Sequence, residues 1–369
     1  LALGAAVWAL NLRNETPLPA NFGVNPSTDA AVIARGDYLA RAGNCMACHT
    51  VRGGAEYAGG RAIDTPFGTV YSSNLTPDAA TGIGTWSSAE FWRAMHNGRS
   101  KDGRLLTPAF PYTSYTLVSR EDSDALYAYL HSRPAVSQPN RDHALRFPYN
   151  TQAALAVWRA LYFAPDRFTP DPTQTADWNR GAYLTQGLAH CSACHSPRDR
   201  WGGIDTARNL AGGMLPVQNW YAPALTATHE AGVADWSPQQ IVQLLKTGTT
   251  PGATVSGPMA EVVLHSTQYL SDADLGAMAD YLRYLPGKPT PASAPVAVAP
   301  SPLAPLGAKV YEQHCVACHG DAGQGVPNAY PALAGKSQIL LLPTRRCPAL
   351  HRHHRISLPA CPVVIFLSA

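Results

Sequence analysis

The sequence predicts a mainly α-helical chain of three tandem domains, the third truncated or aberrant. Three observations predict it. The pattern C-x-x-C-H occurs three times, at 45–49, 191–195 and 315–319. The stretch after the second copy repeats the stretch after the first almost position for position, the mark of a duplicated domain. A length of 369 residues suits about three small domains.

A lone C-x-x-C-H leaves a haem attachment site, a redox dithiol or half of a zinc site open. Three copies narrow the choice. A thioredoxin-like pair needs a βαβ setting and has no use for the His. A zinc ribbon needs two C-x-x-C units about 15 to 20 residues apart, and here the copies lie more than a hundred residues apart. Each copy therefore serves its own site, with structural zinc as the residual alternative. In a c-type haem site two thiols add across the haem vinyl groups and the adjacent His becomes an axial iron ligand. The expected thioether residues are Cys45, Cys48, Cys191, Cys194, Cys315 and Cys318, and the expected iron ligands are His49, His195 and His319. Three haem c groups follow, the third less firmly because its domain is incomplete.

Residues 1–28 begin with the apolar run Leu1 to Leu12; twelve residues alone cannot span a bilayer, a task that takes about 20, but a sequence that starts without Met is also compatible with the end of a longer span. They read as a membrane anchor or the stub of a signal peptide, with an ordinary buried segment as the third option. The first domain is placed at 29–135. A helix carrying Tyr38, Leu39 and Ala42 leads into Cys45, and a Gly/Pro-rich loop follows through Asn74-Leu75-Thr76-Pro77. Ser87 with Glu90 then forms a capping box for a second helix. A closing helix starts at Ser119 and stops before Pro134.

Residues 136–175 form a connector in which Leu155, Val157, Trp158, Leu161 and Phe163 suggest a short buried helix followed by Pro-rich coil. The second domain, 176–285, mirrors the first. Leu75-Thr76, Gly82-Ile83, Trp86-Ser87 and Gly98 match Leu225-Thr226, Gly232-Val233, Trp236-Ser237 and Gly248. The closing helices match from Ser119 to Leu130 and from Ser271 to Leu282. Residues 286–305 are a Pro/Ala-rich linker. Residues 306–336 are a partial third domain. The tail, 337–369, has no Asp or Glu, and it reads as a shifted reading frame or as a natural basic tail. Its His351 to Arg355 cluster is read as solvated charge in preference to a metal site.

Met is the usual soft sixth ligand of an electron-transfer haem, and the chain has five. Met259, in the Pro/Gly-rich stretch 256–259, is the expected iron ligand of the second haem. Met278 falls in a helical core pattern, and Met46 and Met214 are weaker candidates. The matching loop of the first domain carries Phe110, which cannot bind iron, leaving His96 and Met95 as its nearest candidates. No Met follows Cys318.

Formal charge is only +3, which implies neither nucleic acid nor an acidic partner. The chain contains no Rossmann glycine fingerprint and no Ser/His/Asp elbow, so substrate oxidation is expected on another chain.

The repeated units, the Pro108-Ala109-Phe110-Pro111-Tyr112 loop and the Trp178 to Leu184 lead-in resemble the triheme cytochrome c subunits of bacterial membrane-bound alcohol, aldehyde and gluconate-type dehydrogenases. The resemblance runs from about Asp29 to Gly335 and implies three tandem class I cytochrome c-like domains. It also implies electron transfer from a catalytic subunit carrying molybdopterin, pyrroloquinoline quinone or flavin towards membrane ubiquinone, on the periplasmic face of the inner membrane. Phe110, where many relatives have Met, and the tail depart from the pattern. Two rival readings are a dihaem-peroxidase-like enzyme, which a five-coordinate first haem would allow, and a free-standing soluble electron carrier.

Overall fold

The computed structural model describes residues 2–15, 17–18, 23–215, 217–218, 220–227, 230–251, 253–285, 304–326, 330 and 333. Helices dominate, and small antiparallel sheets decorate their edges. A first helix, α1 (Ala2–Leu12), precedes the first unit. That unit contains α2 (Ala30–Ala42), the one-turn α3 (Cys45–His49), β1 (Ala62–Thr65), β2 (Gly68–Tyr71), α4 (Ser88–Asn97), the short α5 (Tyr112–Tyr115) and α6 (Arg120–His131). The expected capping box opens α4: Ser87 accepts from the Glu90 N–H, and the Glu90 carboxylate accepts from the Ser87 N–H. Gly98 closes the helix at φ 58°, a conformation glycine adopts without a Cβ penalty.

The connector supplies β3 (Ala144–Leu145), which extends β1 and β2 into a three-stranded antiparallel sheet, and α7 (Gln152–Tyr162). The expectation of a buried connector helix is corrected. Phe163, just past the helix, is buried as expected and Leu155 and Trp158 are half-buried, but Val157 and Leu161 face outward and Arg159 is the residue of α7 that is buried. Tertiary contacts overrode the apolar pattern, because Arg159 finds its hydrogen-bond partners inside.

The second unit repeats the first. It contains α8 (Ala176–Tyr183) continued by a π-helical turn at 184–188, α9 (Ser192–His195), β4 (Gly213–Leu215), β5 (Trp220–Ala222), α10 (Pro238–Thr247), β6 (Thr249–Thr250), β7 (Ala253–Thr254), α11 (Pro258–His265) and α12 (Asp272–Arg283). The same box, Ser237 with Gln240, opens α10, and Gly248 ends it at φ 79°. Of the third unit, α13 (Ala304–His314) and α14 (Val316–His319) are described. Most of the linker and the whole tail, with Cys347, Cys361 and the His351 cluster, lie outside the described residues.

The lead and closing helices of each of the first two units cross at a glycine. A Cβ on Gly36 would lie 2.0 Å from the Ala125 carbonyl oxygen, and one on Gly181 would lie 1.9 Å from that of Ala277. Arg35 then reaches Asp122 on α6, with its Nε at 2.8 Å, and Arg180 grips Asp274 on α12 through two bonds of 2.8 Å. The units meet through one buried cluster that joins Leu39, Ile83, Phe91 and Leu126 to Leu184, Leu188, Ile241 and Leu275. That shared core holds the two C-x-x-C-H helices in a single body.

Candidate functional site

Each of the first two C-x-x-C-H runs is delivered by a bend at the end of the lead helix. Asn44 at φ 51° and His190 at φ 38° precede Cys45 and Cys191 in the left-handed region, where Asn and His are tolerated better than most side chains. The chain then restarts as one helical turn, so two thiols three residues apart sit on one side of it. The His ends that turn in all three copies.

The imidazoles of the first two copies are fixed in the same way. Nδ1 of His49 lies 2.7 Å from the Ser73 carbonyl, and Nδ1 of His195 lies 2.7 Å from the Pro223 carbonyl. A carbonyl only accepts, so Nδ1 carries the proton and Nε2 keeps its lone pair. Burial lowers the pKa of both rings, which holds them neutral, the form that ligates a metal. Enclosure pushes the Cys45 and Cys191 thiols up to about 12, against solvent-exposed thiols that ionise far more readily.

A second device is common to all three units and was not read from the sequence. A glycine N–H donates to the carbonyl of the His: Gly59 to His49 at 2.8 Å, Gly212 to His195 at 2.7 Å and Gly325 to His319 at 2.8 Å. All three glycines have positive φ, 75°, 83° and 73°. Two residues before Gly59 and Gly212 stand Tyr57 and Leu210, buried and also at positive φ, 60° and 58°. Their carbonyls are joined to the loops that follow: that of Tyr57 accepts from Leu75 at 2.8 Å, and that of Leu210 from Leu225 at 2.9 Å. These bonds draw the 73–75 and 223–225 segments beneath each His, which is how the Ser73 and Pro223 carbonyls arrive at Nδ1. An arginine completes the frame: Arg61 donates to the Ala47 carbonyl, and Arg198 donates to that of Ala193 at 2.8 Å.

The expected sixth-ligand residues divide. Met259 is half-buried and packs against the shared cluster. It stands on the first turn of α11 where a loop was expected, because Pro258 is well suited to the start of a helix. Met95 and Met278 are buried core residues. Met214 lies on β4 opposite Tyr221 and is exposed, and Met46 packs against the core from α3. Phe110 packs 5.3 Å from Tyr115, and His96 stacks at 4.4 Å on Trp92. In the third unit the ring of His319 stands 6.1 Å from that of Tyr330.

Two C-x-x-C-H turns with a neutral, carbonyl-oriented His fit covalent haem better than zinc. Among the described residues no group of three or more His, Cys, Asp or Glu is placed to hold a metal ion. Each thiol pair with its His is instead a site whose remaining ligands would come from a porphyrin.

Comparison with known proteins agrees. The cytochrome c family model matches residues 33–134 and 304–353. The chain is 43% identical over 343 residues to a nicotinate dehydrogenase component of Pseudomonas putida, covering 92% of this chain and 28% of that protein. It is 39% identical over 334 residues to the cytochrome c subunit of the quinone alcohol dehydrogenase of Gluconacetobacter polyoxogenes, covering 85% of this chain and 70% of that one. It is 40% identical over 322 residues to the gluconate 2-dehydrogenase cytochrome c subunit of Pantoea cypripedii, covering 82% and 72%. Thus the chain spans little more than a quarter of the first relative and about seven-tenths of the other two.

Proposed function

Because the chain belongs to the family of cytochrome c subunits of dehydrogenases, we propose that it carries three covalent haem c groups. They would pass electrons from a partner dehydrogenase subunit to ubiquinone or the respiratory chain. The observation that carries this reading is the matched pair of bonds, His49 to Ser73 and His195 to Pro223, each 2.7 Å long. They orient two neutral imidazoles alike, one beside each thiol pair. Cys45 and Cys48, Cys191 and Cys194, and Cys315 and Cys318 would hold the three haems by thioether bonds. His49, His195 and His319 would ligate iron, and Met259 would be the sixth ligand of the second haem.

Bound haem supplies the one-electron chemistry; this chain's own residues orient the ligands and exclude water. The Nδ1–H to carbonyl bonds raise the donor strength of each His and prevent ring rotation. The buried cluster shared by units 29–135 and 176–285 holds the Cys45–His49 and Cys191–His195 turns in one body and would fix two haems relative to each other, while unit 306–336 follows the 286–305 linker in sequence. Substrate oxidation would take place on the partner, of molybdopterin, pyrroloquinoline quinone or flavin type, at the periplasmic face of the inner membrane. Among the described residues no helix is long and apolar enough to cross a membrane.

The test is a two-step transfer with the haem-loaded chain. Its dehydrogenase partner with substrate should reduce the haem α-bands, and a ubiquinone analogue should reoxidise them. Reduction without reoxidation would remove the quinone from the reading. Peroxide turnover by the reduced protein would replace it with the peroxidase reading.

A further inference from the structure

The approach to the second attachment turn is one residue longer than the approach to the first. Cys45 follows the crossing glycine Gly36 by nine positions, and Cys191 follows Gly181 by ten. The extra residue is absorbed in the π-helical turn at 184–188, a local widening of the helix that recurs at functional sites. Just beyond it His190, the residue before Cys191, stands at the seam between the first two units.

The His190 ring meets Tyr115 of the first unit edge to face, with centroids 5.7 Å apart. Tyr115 is buried, and its hydroxyl donates at 3.2 Å to the carbonyl of Gly43, two residues before Cys45. Gly43 is itself a close approach. A Cβ there would lie 3.2 Å from the Cys45 sulfur and 3.5 Å from Leu188 of the second unit. Burial lowers the pKa of His190, and the backbone of His190 and that of Gly43 oppose the shift, so the ring lies beside Gly43 as well as beside Tyr115.

The thiol pairs converge on the same seam. Burial raises the Tyr115 hydroxyl, and Cys45 and Cys48 add to the shift. Burial likewise raises the Cys194 thiol; Arg198 opposes that shift, and Cys48 of the first turn adds to it. The repeat does not supply a second ring pair: Asn44 stands where His190 does, and Thr267 stands where Tyr115 does when the closing helices are aligned at Ser119 and Ser271. Packing alone is served by residues such as Leu39, Leu184 and Leu188 of the shared cluster, whereas a ring with two polar nitrogens costs desolvation at a seam.

We propose that His190 is the bridging residue through which one electron passes between the haems held by the first and second thiol pairs, and that Tyr115 is the residue that positions it. One haem is oxidised as the other is reduced; no bond is made or broken and no proton moves. This deepens the electron-transfer function proposed above and rests on its covalent haems.

The experiment uses the haem-loaded full chain. A radiolytic pulse delivers less than one electron per molecule, and samples frozen at intervals are read by electron paramagnetic resonance, in which Met-ligated and Met-lacking ferric haems give separate signals. The rate of electron redistribution is compared among the parent, His190→Asn, Tyr115→Phe and the double variant. Asn suits the left-handed backbone at 190, as Asn44 does in the first unit, and Phe keeps the ring at 115, so both variants should fold. His190→Asn should slow redistribution several-fold and Tyr115→Phe should slow it less. The double variant should be no slower than His190→Asn alone, because Tyr115 acts through His190. Haem mass and midpoint potentials should stay those of the parent, a combination that a merely structural role would not produce. An unchanged rate in His190→Asn, multiplied losses in the double variant, or potential shifts large enough to account for the slowing would overturn the proposal. A parent chain without covalent haem would overturn the haem reading itself, and this proposal with it.

Discussion

Tyr38 and Tyr183 occupy equivalent positions in the two repeats, and each reaches across to the other's closing helix. Tyr38 donates to Asp274 at 2.6 Å, and Tyr183 donates to Asp122 at 2.6 Å. Each hydroxyl also accepts from a helix-capping backbone N–H of the opposite unit, Ser271 at 3.2 Å and Ser119 at 3.0 Å. Each carboxylate is shared between its own arginine, three residues before the lead-helix tyrosine, and the foreign tyrosine. The duplication has thus become a reciprocal latch around an approximate two-fold relationship.

Removing one hydroxyl should therefore loosen the pair of units. Tyr183→Phe leaves the buried Asp122 with Arg35 alone and should cost about 1.5–3 kcal/mol, the range for a hydrogen bond to a charged group. Tyr38→Phe should cost less, because its bonds are nearer to solvent. Denaturant unfolding of the haem-loaded variants measures both. Equal and negligible losses would show that the latch carries no stability.

The latch also sets a pH dependence. Burial alone would raise the Asp274 carboxyl, but hydrogen bonds from Arg180 and Tyr38 outweigh it and hold the group below its ordinary value. A depressed folded pKa contributes stability that is present above the unfolded value of about 3.9 and is lost as pH falls through the folded one. Unfolding midpoints should fall on acidification below about pH 4, and Asp274→Asn should flatten that limb. At the alkaline end, burial and Asp122 raise the Tyr183 hydroxyl. Its contribution should be intact below about pH 10 and fade above it.

Gly36→Ala and Gly181→Ala should each force the lead and closing helices apart, since the added Cβ would meet a backbone carbonyl oxygen at 2.0 or 1.9 Å. Overpacking of this kind costs about 1–3 kcal/mol or more. Thermal unfolding checks it, and an unchanged midpoint in either variant would contradict the crossing geometry.

Met259→Leu tests the proposed sixth ligand while preserving volume. One of the haem midpoint potentials should fall by roughly a tenth of a volt or more, within the span of about 0.8 V that axial ligation controls. All haems should stay attached. Potentiometric titration followed optically reads this, and three unshifted potentials would exclude Met259 as a ligand.

Much of this was legible in the sequence for a physical reason. The capping boxes at Ser87 and Ser237 and the C-x-x-C-H turns depend on side chains at fixed short intervals, which a one-dimensional pattern preserves. The frame beneath each His does not. The glycines that bond the His carbonyls follow ten, seventeen and six residues later, and the Ser73 and Pro223 groups that orient the imidazoles are backbone atoms with no side-chain signature. Arg159 was hidden for another reason: the burial of a lone charge depends on Asn11, 148 residues away.

The most direct test of the central claim is an intact mass of the purified chain under denaturing conditions, which strip any non-covalent ligand. The account predicts the polypeptide plus three haems, and plus two when Cys191→Ala is combined with Cys194→Ala. A mass with no covalent haem would contradict it.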